Sequence, residues 1–96
     1  MAAYLIAFAK VKDPRKREEY AAAAGPTLLA AGGTIVSRGK VVGTLVGQLD
    51  AETCFIAKFP SVEAARRWYD SPEYQALLPI RAQGMTPTFV LSEDAS

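Results

Sequence analysis

Residues Tyr4 to Lys12 read as a strand with apolar side chains on both faces, and this restricts the fold more than any other feature. Tyr4, Ile6 and Phe8 point one way; Leu5, Ala7, Ala9 and Val11 point the other. An antiparallel sheet wetted on one side alternates apolar with polar residues instead. Thr53 to Phe59 repeats the two-sided pattern, with Cys54 and Ile56 on one side and Phe55, Ala57 and Phe59 on the other. A sheet built from such strands needs cover on both faces.

The remaining elements follow from local signals. Asp13-Pro14 starts a helix, with Asp13 as N-cap and Pro14 as its first residue. Tyr20, Ala24, Leu28 and Ala31 keep a helical stripe. Gly25-Pro26 is expected to kink or break it, and Gly32-Gly33 supplies the exit. Thr34 to Arg38 reads as a second strand, Gly39-Lys40 as a turn, and Val41 to Val46 as an extension of the hairpin before a polar loop. Thr53 to Phe59 ends at Pro60, and Ser61 caps a helix carrying Val62, Ala65, Trp68 and Tyr69 on one face. Asp70-Ser71-Pro72 breaks that helix. Ser71 caps a further short one running through Tyr74, Leu77 and Leu78, which Pro79 disturbs and Gly84 ends. Thr86 to Ser92 is the last strand, and Glu93 to Ser96 is a polar tail expected to fray.

The order is β-α-β-β-α-β with an extra short helix before the last strand. This predicts one α+β domain over residues 1–96, ferredoxin-like, with an antiparallel sheet and its helices on one face. The helices cover one face of the sheet only. A monomer seldom leaves an apolar patch of several hundred Å² in water. Burying roughly 600 Å² per protomer at about 25 cal/mol/Å² releases on the order of 15 kcal/mol before association costs. A homodimer joined through the sheet faces is the expected assembly.

Composition excludes several classes of function. The 96 residues hold 11 basic and 10 acidic side chains, and the one basic run, Arg15-Lys16-Arg17, is followed at once by Glu18-Glu19. That balance does not suit a nucleic-acid partner. There is no histidine, which removes serine–histidine and cysteine–histidine nucleophiles and the common zinc sites. Cys54 is the only cysteine, so no internal disulfide or multi-cysteine metal site forms. No phosphate-binding glycine loop is present, and neither a cofactor nor a metal is expected. The opening MAAYLIAFAKVKD is charged too soon for a signal peptide or membrane span, and the expected location is the cytoplasm.

The candidate site residues cluster near element ends. Arg38 can grip a carboxylate or enolate oxygen, or sit in a rim ion pair. Trp68 and Tyr69 can pack the core or face a ligand, the tyrosine hydroxyl needing a partner in either case. Ser71 reads first as a helix cap, and Glu73 suits the helix dipole. Tyr74 and Arg81 can converge on a small organic acid, or pin an irregular segment to the sheet.

The run from Phe59 to Gln75, with Trp68-Tyr69-Asp70-Ser71-Pro72-Glu73-Tyr74 at its heart, resembles the signature of the family called domain of unknown function 1330, within the dimeric α/β-barrel superfamily. Gly32-Gly33, Arg38-Gly39 and Tyr4 fit the same pattern, and the resemblance spans Tyr4 to about Leu91. It implies a ferredoxin-like protomer, a dimer joined through its sheets and no assigned activity. The wider superfamily includes cofactor-free monooxygenases, isomerases, cyclising and dehalogenating enzymes, and non-catalytic members, many with a site between sheet and helices. Phe8 stands where such relatives commonly carry histidine, Val46 where they carry glutamate and Leu49 where they carry tryptophan. The resemblance thus implies a more apolar pocket, with Phe8 among its contacts. It also implies a small apolar or aromatic acid ligand, for cofactor-free chemistry or for binding alone, or else an accessory or structural dimer module.

Overall fold

The computed structural model describes residues 1–95. Strands β1 (Ala3–Val11), β2 (Thr34–Lys40), β3 (Thr53–Phe59) and β4 (Met85–Glu93) form one antiparallel sheet in the order β2-β3-β1-β4. Helices α1 (Pro14–Ala30), α2 (Val62–Asp70), α3 (Pro72–Gln75) and α4 (Leu78–Gly84) complete the chain. This is the α+β, ferredoxin-like architecture that the element order predicts.

The register sorts the side chains by face. Leu5 pairs with Ala57 and Leu91, and Ala7 with Phe55 and Phe89, all on the helix side. Ala3, Leu5, Ala7 and Ala9 are buried there. Ile6 pairs with Ile56 and Val90, and Phe8 with Cys54 and Thr88, on the face that carries no helix. Tyr4, Ile6 and Phe8 are half-buried on that face, shielded only by their neighbours, and Val90 is exposed.

Helix α1 continues through Gly25-Pro26, so the break that the sequence allows there does not occur. A proline at this point removes the donor that would serve the carbonyl of Ala22, an exposed residue that water can satisfy. Gly25 has no Cβ to meet the proline ring, the clash that ordinarily drives the preceding residue out of the helix. The helix ends in a Schellman arrangement: the Gly33 amide donates to the Leu28 carbonyl at 3.0 Å and the Gly32 amide to Leu29 at 3.1 Å, with Gly32 at φ 91°.

Three further boundaries differ from the sequence reading. Gly39-Lys40 belongs to β2, and Val41 to Val46 is not strand but part of a connection reaching to Glu52. The last rung is the Val41 amide donating to the Glu52 carbonyl at 2.9 Å; beyond it the chain has no strand partner. The short helix after Ser71 is split fully in two at the proline expected to disturb it: Pro79 lacks the donor to continue one helix and sits in the first turn of α4. Glu93 ends β4 and the Asp94 amide donates to the Ala2 carbonyl, so the expected fraying does not begin at Glu93; Ser96 lies outside the described residues.

Helix α4 docks on the start of α1 through Gly84. Its carbonyl accepts from the amides of Lys12 at 2.8 Å and Asp13 at 3.2 Å. A Cβ there would lie 2.6 Å from the Arg17 amide nitrogen and 2.8 Å from its Cα. Backbone cannot yield to it, so Gly84→Ala is expected to destabilise the fold by about 1–3 kcal/mol, the usual cost of overpacking. Urea unfolding measures this, and an unchanged midpoint would contradict the packing described.

Candidate functional site

Helix α1 presents Arg17, Tyr20, Ala21, Ala24, Gly25 and Leu28 to the sheet, at the three- and four-residue spacings that keep a single helical face. Opposite them β1 offers Ala7 and Ala9. Small residues on both walls leave a gap that neither backbone can close, a cavity of about 100 Å³. Leu5, Phe55, Trp68, Met85 and Phe89 form its apolar walls, and the exposed Arg38 stands at its edge on β2. Arg17 and Thr53 add the remaining polar groups besides Tyr20.

A second, wider and more polar cleft of about 340 Å³ lies between α2, α4 and β4, with Arg66, Tyr69, Asp70 and Arg81 on its walls. Leu5, Trp68 and Phe89 are common to both. Trp68 is held by its Nε1, which donates to the Thr27 hydroxyl at 3.0 Å; that hydroxyl donates in turn to the Ala24 carbonyl at 2.7 Å. The partition between the two cavities is therefore fixed in place.

Between them runs a hydrogen-bonded chain from the buried Tyr20 and Tyr74 to the half-buried Arg81 and Tyr69. The Tyr20 and Tyr74 hydroxyl oxygens lie 2.7 Å apart. Arg81 Nη1 donates to Tyr74 at 3.0 Å and to Tyr69 at 3.2 Å. The guanidinium also sits 5.4 Å from the Phe89 ring centroid. Burial, reinforced by the neighbouring Tyr74, pushes the Tyr20 hydroxyl far above its ordinary value. Burial raises Tyr74 as well, with Tyr20 and Arg81 pulling partly against it. Burial opposes the Arg81 charge, but its hydrogen bonds to Tyr69 and Tyr74 more than offset that and raise its pKa.

The residues singled out from sequence separate into groups. Arg38 and Trp68 line the apolar cavity, and Tyr69 and Arg81 line the wider cleft. Tyr74 is fully buried between them and reaches neither. Phe8 lies on the helix-free face of the sheet, opposite Cys54 and Thr88, and shares no cavity with the rest. Ser71 caps α3 by accepting from the Tyr74 amide at 3.3 Å, and its hydroxyl donates to the Trp68 carbonyl at 2.7 Å. Glu73 lies in the first turn of α3. Val46 and Leu49 are exposed in the β2–β3 connection. Sequence reasoning missed Tyr20 and Arg17 as cavity residues. Tyr20 reads as one apolar member of a helical stripe, and its hydroxyl partner lies 54 positions away. Among the described residues no three histidine, cysteine, aspartate or glutamate side chains group as a metal site.

The model of the domain of unknown function DUF1330 matches residues 2–95. The chain belongs to this family. No curated protein matches it in sequence. Among solved structures it is similar to a protein of unknown function from Rhodopseudomonas palustris, with a TM-score of 0.82 at 18% identity over 99% of this chain and 83% of that one. It is also similar to SnoaB, a cofactor-independent oxygenase from Streptomyces nogalater, with a TM-score of 0.73 at 16% identity over 99% and 94%. A third is a dimeric ferredoxin-like protein of unknown function from Thermobifida fusca, with a TM-score of 0.66 at 20% identity over 96% and 90%. At these identities the likeness shows the fold. Among the described residues no helix is long and apolar enough to cross a membrane.

The buried tyrosines give stability a pH dependence. Above the ordinary tyrosine value of 10.0 the unfolded chain releases protons that the folded chain keeps. The folded state then binds more protons, so stability is full below that value and falls as pH rises past it. The melting temperature is expected to drop more steeply from about pH 9 to about pH 11 in the parent protein than in Tyr20→Phe. Parallel curves would contradict the buried, proton-retaining state of Tyr20.

Proposed function

We propose that the protein binds a small aromatic acid in the cavity between α1 and the sheet and acts on it without a cofactor, in isomerase, cyclase, lyase or monooxygenase fashion. The observation that carries this reading is an apolar cavity with cationic groups at its limits, Arg38 at the edge and Arg17 on α1. Apolar walls with a few placed polar groups are what small-molecule sites use. At about 100 Å³ the space is smaller than the roughly 150 Å³ apolar cavity that takes benzene, so it would admit no more than one ring, with the rest of the ligand directed to the edge at Arg38. Arg38 would hold the carboxylate or a developing enolate. The cofactor-independent oxygenase among proteins of this fold is consistent with such chemistry.

A second reading, a non-catalytic ligand-binding module, has its own support: the cavity walls carry no aspartate, glutamate, histidine, cysteine or lysine to serve as an ordinary general base. Turnover of a bound aromatic acid, followed by product analysis, separates the two. Either way benzoate is expected to raise the melting temperature. Arg38→Ala is expected to weaken benzoate on the order of tenfold while sparing neutral rings. Ala24→Leu, which fills the cavity, is expected to abolish binding by both. Unchanged binding in Ala24→Leu would move the site elsewhere.

We also read the functional unit as a cytoplasmic homodimer joined through the helix-free sheet faces. Ile6, Phe8, Ile56 and Val90 make that face apolar across three strands, and Val42, Leu45 and Val46 add nearly fully exposed apolar side chains in the β2–β3 connection. The dimeric fold relative from Thermobifida fusca agrees with this reading. Ile6→Lys combined with Ile56→Lys is expected to convert the dimer to monomer in sedimentation velocity at micromolar concentration. A parent protein already monomeric there would refute the assembly.

A further inference from the structure

The Tyr20–Tyr74–Arg81 chain has a direction. An arginine guanidinium only donates, so Arg81 occupies one lone pair of the Tyr74 oxygen. Tyr74 must then place its own proton. It is fully buried, and the Tyr20 oxygen at 2.7 Å is its remaining partner among the described residues. If Tyr20 donated instead, the Tyr74 proton would be left without an acceptor on a residue that reaches neither cavity. The favoured arrangement therefore runs from Arg81 to Tyr74 to Tyr20, and the proton left over is that of Tyr20. Among the described residues Tyr20 has no second hydrogen-bond partner, and it forms part of the cavity wall.

We propose that the Tyr20 hydroxyl is the ligand's hydrogen-bond donor inside the cavity, and that the ligand therefore carries a carbonyl or enolate oxygen on its ring-bearing part, separate from the acid held by Arg38. Tyr74 and Arg81 touch no ligand. They are positioning residues: Arg81 polarises Tyr74, Tyr74 orients and polarises Tyr20, and the donor strengthens as negative charge develops on the ligand oxygen. The proposal rests on the cavity being the ligand site, and it deepens that reading from an apolar slot with an external anion grip to two-point recognition of a keto or enol acid.

The test uses the full-length protein and two probes of matched shape, acetophenone and ethylbenzene, which differ by the carbonyl oxygen. The parent protein is expected to bind acetophenone more tightly. Tyr20→Phe is expected to weaken acetophenone about three- to tenfold, the worth of one neutral hydrogen bond, and to leave ethylbenzene unchanged. The infrared stretch of carbonyl-¹³C acetophenone reads the donor directly. It should shift to lower frequency on binding, lose that shift in Tyr20→Phe and lose part of it in Tyr74→Phe, where Tyr20 remains but is no longer polarised. A merely structural role for Tyr74 would not move this frequency. Equal probe affinities in the parent protein, or an unaltered carbonyl shift in Tyr20→Phe, overturn the proposal while leaving the cavity as a ligand site. Absence of binding by both probes and by benzoate overturns the cavity reading and this proposal with it.

Discussion

The contact between the Tyr20 and Tyr74 hydroxyls, capped by Arg81, ties three helices of the layer together at one point. Tyr20 belongs to α1, Tyr74 to α3 and Arg81 to α4; α1 is joined to the neighbouring pair α3 and α4 only through a long stretch of chain. Around it the aromatic rings pack closely: Trp68 and Tyr74 have centroids 4.4 Å apart, and Tyr69 and Tyr74 5.2 Å. The bond fixes how far α1 stands from the rest of the layer. With that distance set by large rings, the small residues Ala7, Ala9, Ala21 and Ala24 cannot collapse together, and the cavity stays open. Removing one hydroxyl from such a network leaves the other partly unsatisfied, which is why these residues act as a unit.

The same sheet serves two unlike purposes. Its helix side meets aromatic residues at one end and small residues at the other, giving both a packed core and a cavity. Its free side is apolar but carries no layer of its own. An alternation of period two places the two sets on opposite faces of the same strands, so Phe8 and Ala7, adjacent in sequence, end in separate environments. A ligand on one side and a second protomer on the other are compatible because they share strands and not surfaces.

How much of this was legible in the sequence depends on the range of the interaction. The element order and the ferredoxin-like sheet were readable because strand periodicity, the Asp13 and Ser61 caps and the Gly32 exit are local signals. The two-sided strands disclosed the uncovered face for the same reason. Pro26 misled because its effect depends on the Gly25 before it and on whether the orphaned carbonyl can reach water, neither of which a breaker rule weighs. Val41 to Val46 misled because β-branched composition indicates a strand only where a partner strand exists. The cavity was least legible. Arg38, Trp68 and Arg81 stood out as chemistry-bearing types, but a void is defined by what is small, and alanines on α1 and β1 carry no such signal. Tyr20 was hidden inside a stripe that looks like ordinary core.

The account turns on the space beneath α1 being a true ligand site. Proton NMR with ¹³C-methyl-labelled alanine tests this most directly, using benzoate and acetophenone as probes. Intermolecular nuclear Overhauser effects are predicted from the ring protons to the methyls of Ala7, Ala9, Ala21 and Ala24, with none to isoleucine methyls of Ile6 and Ile56 on the opposite face. Contacts confined to the isoleucines, or perturbation of no alanine methyl at saturating probe, would contradict it.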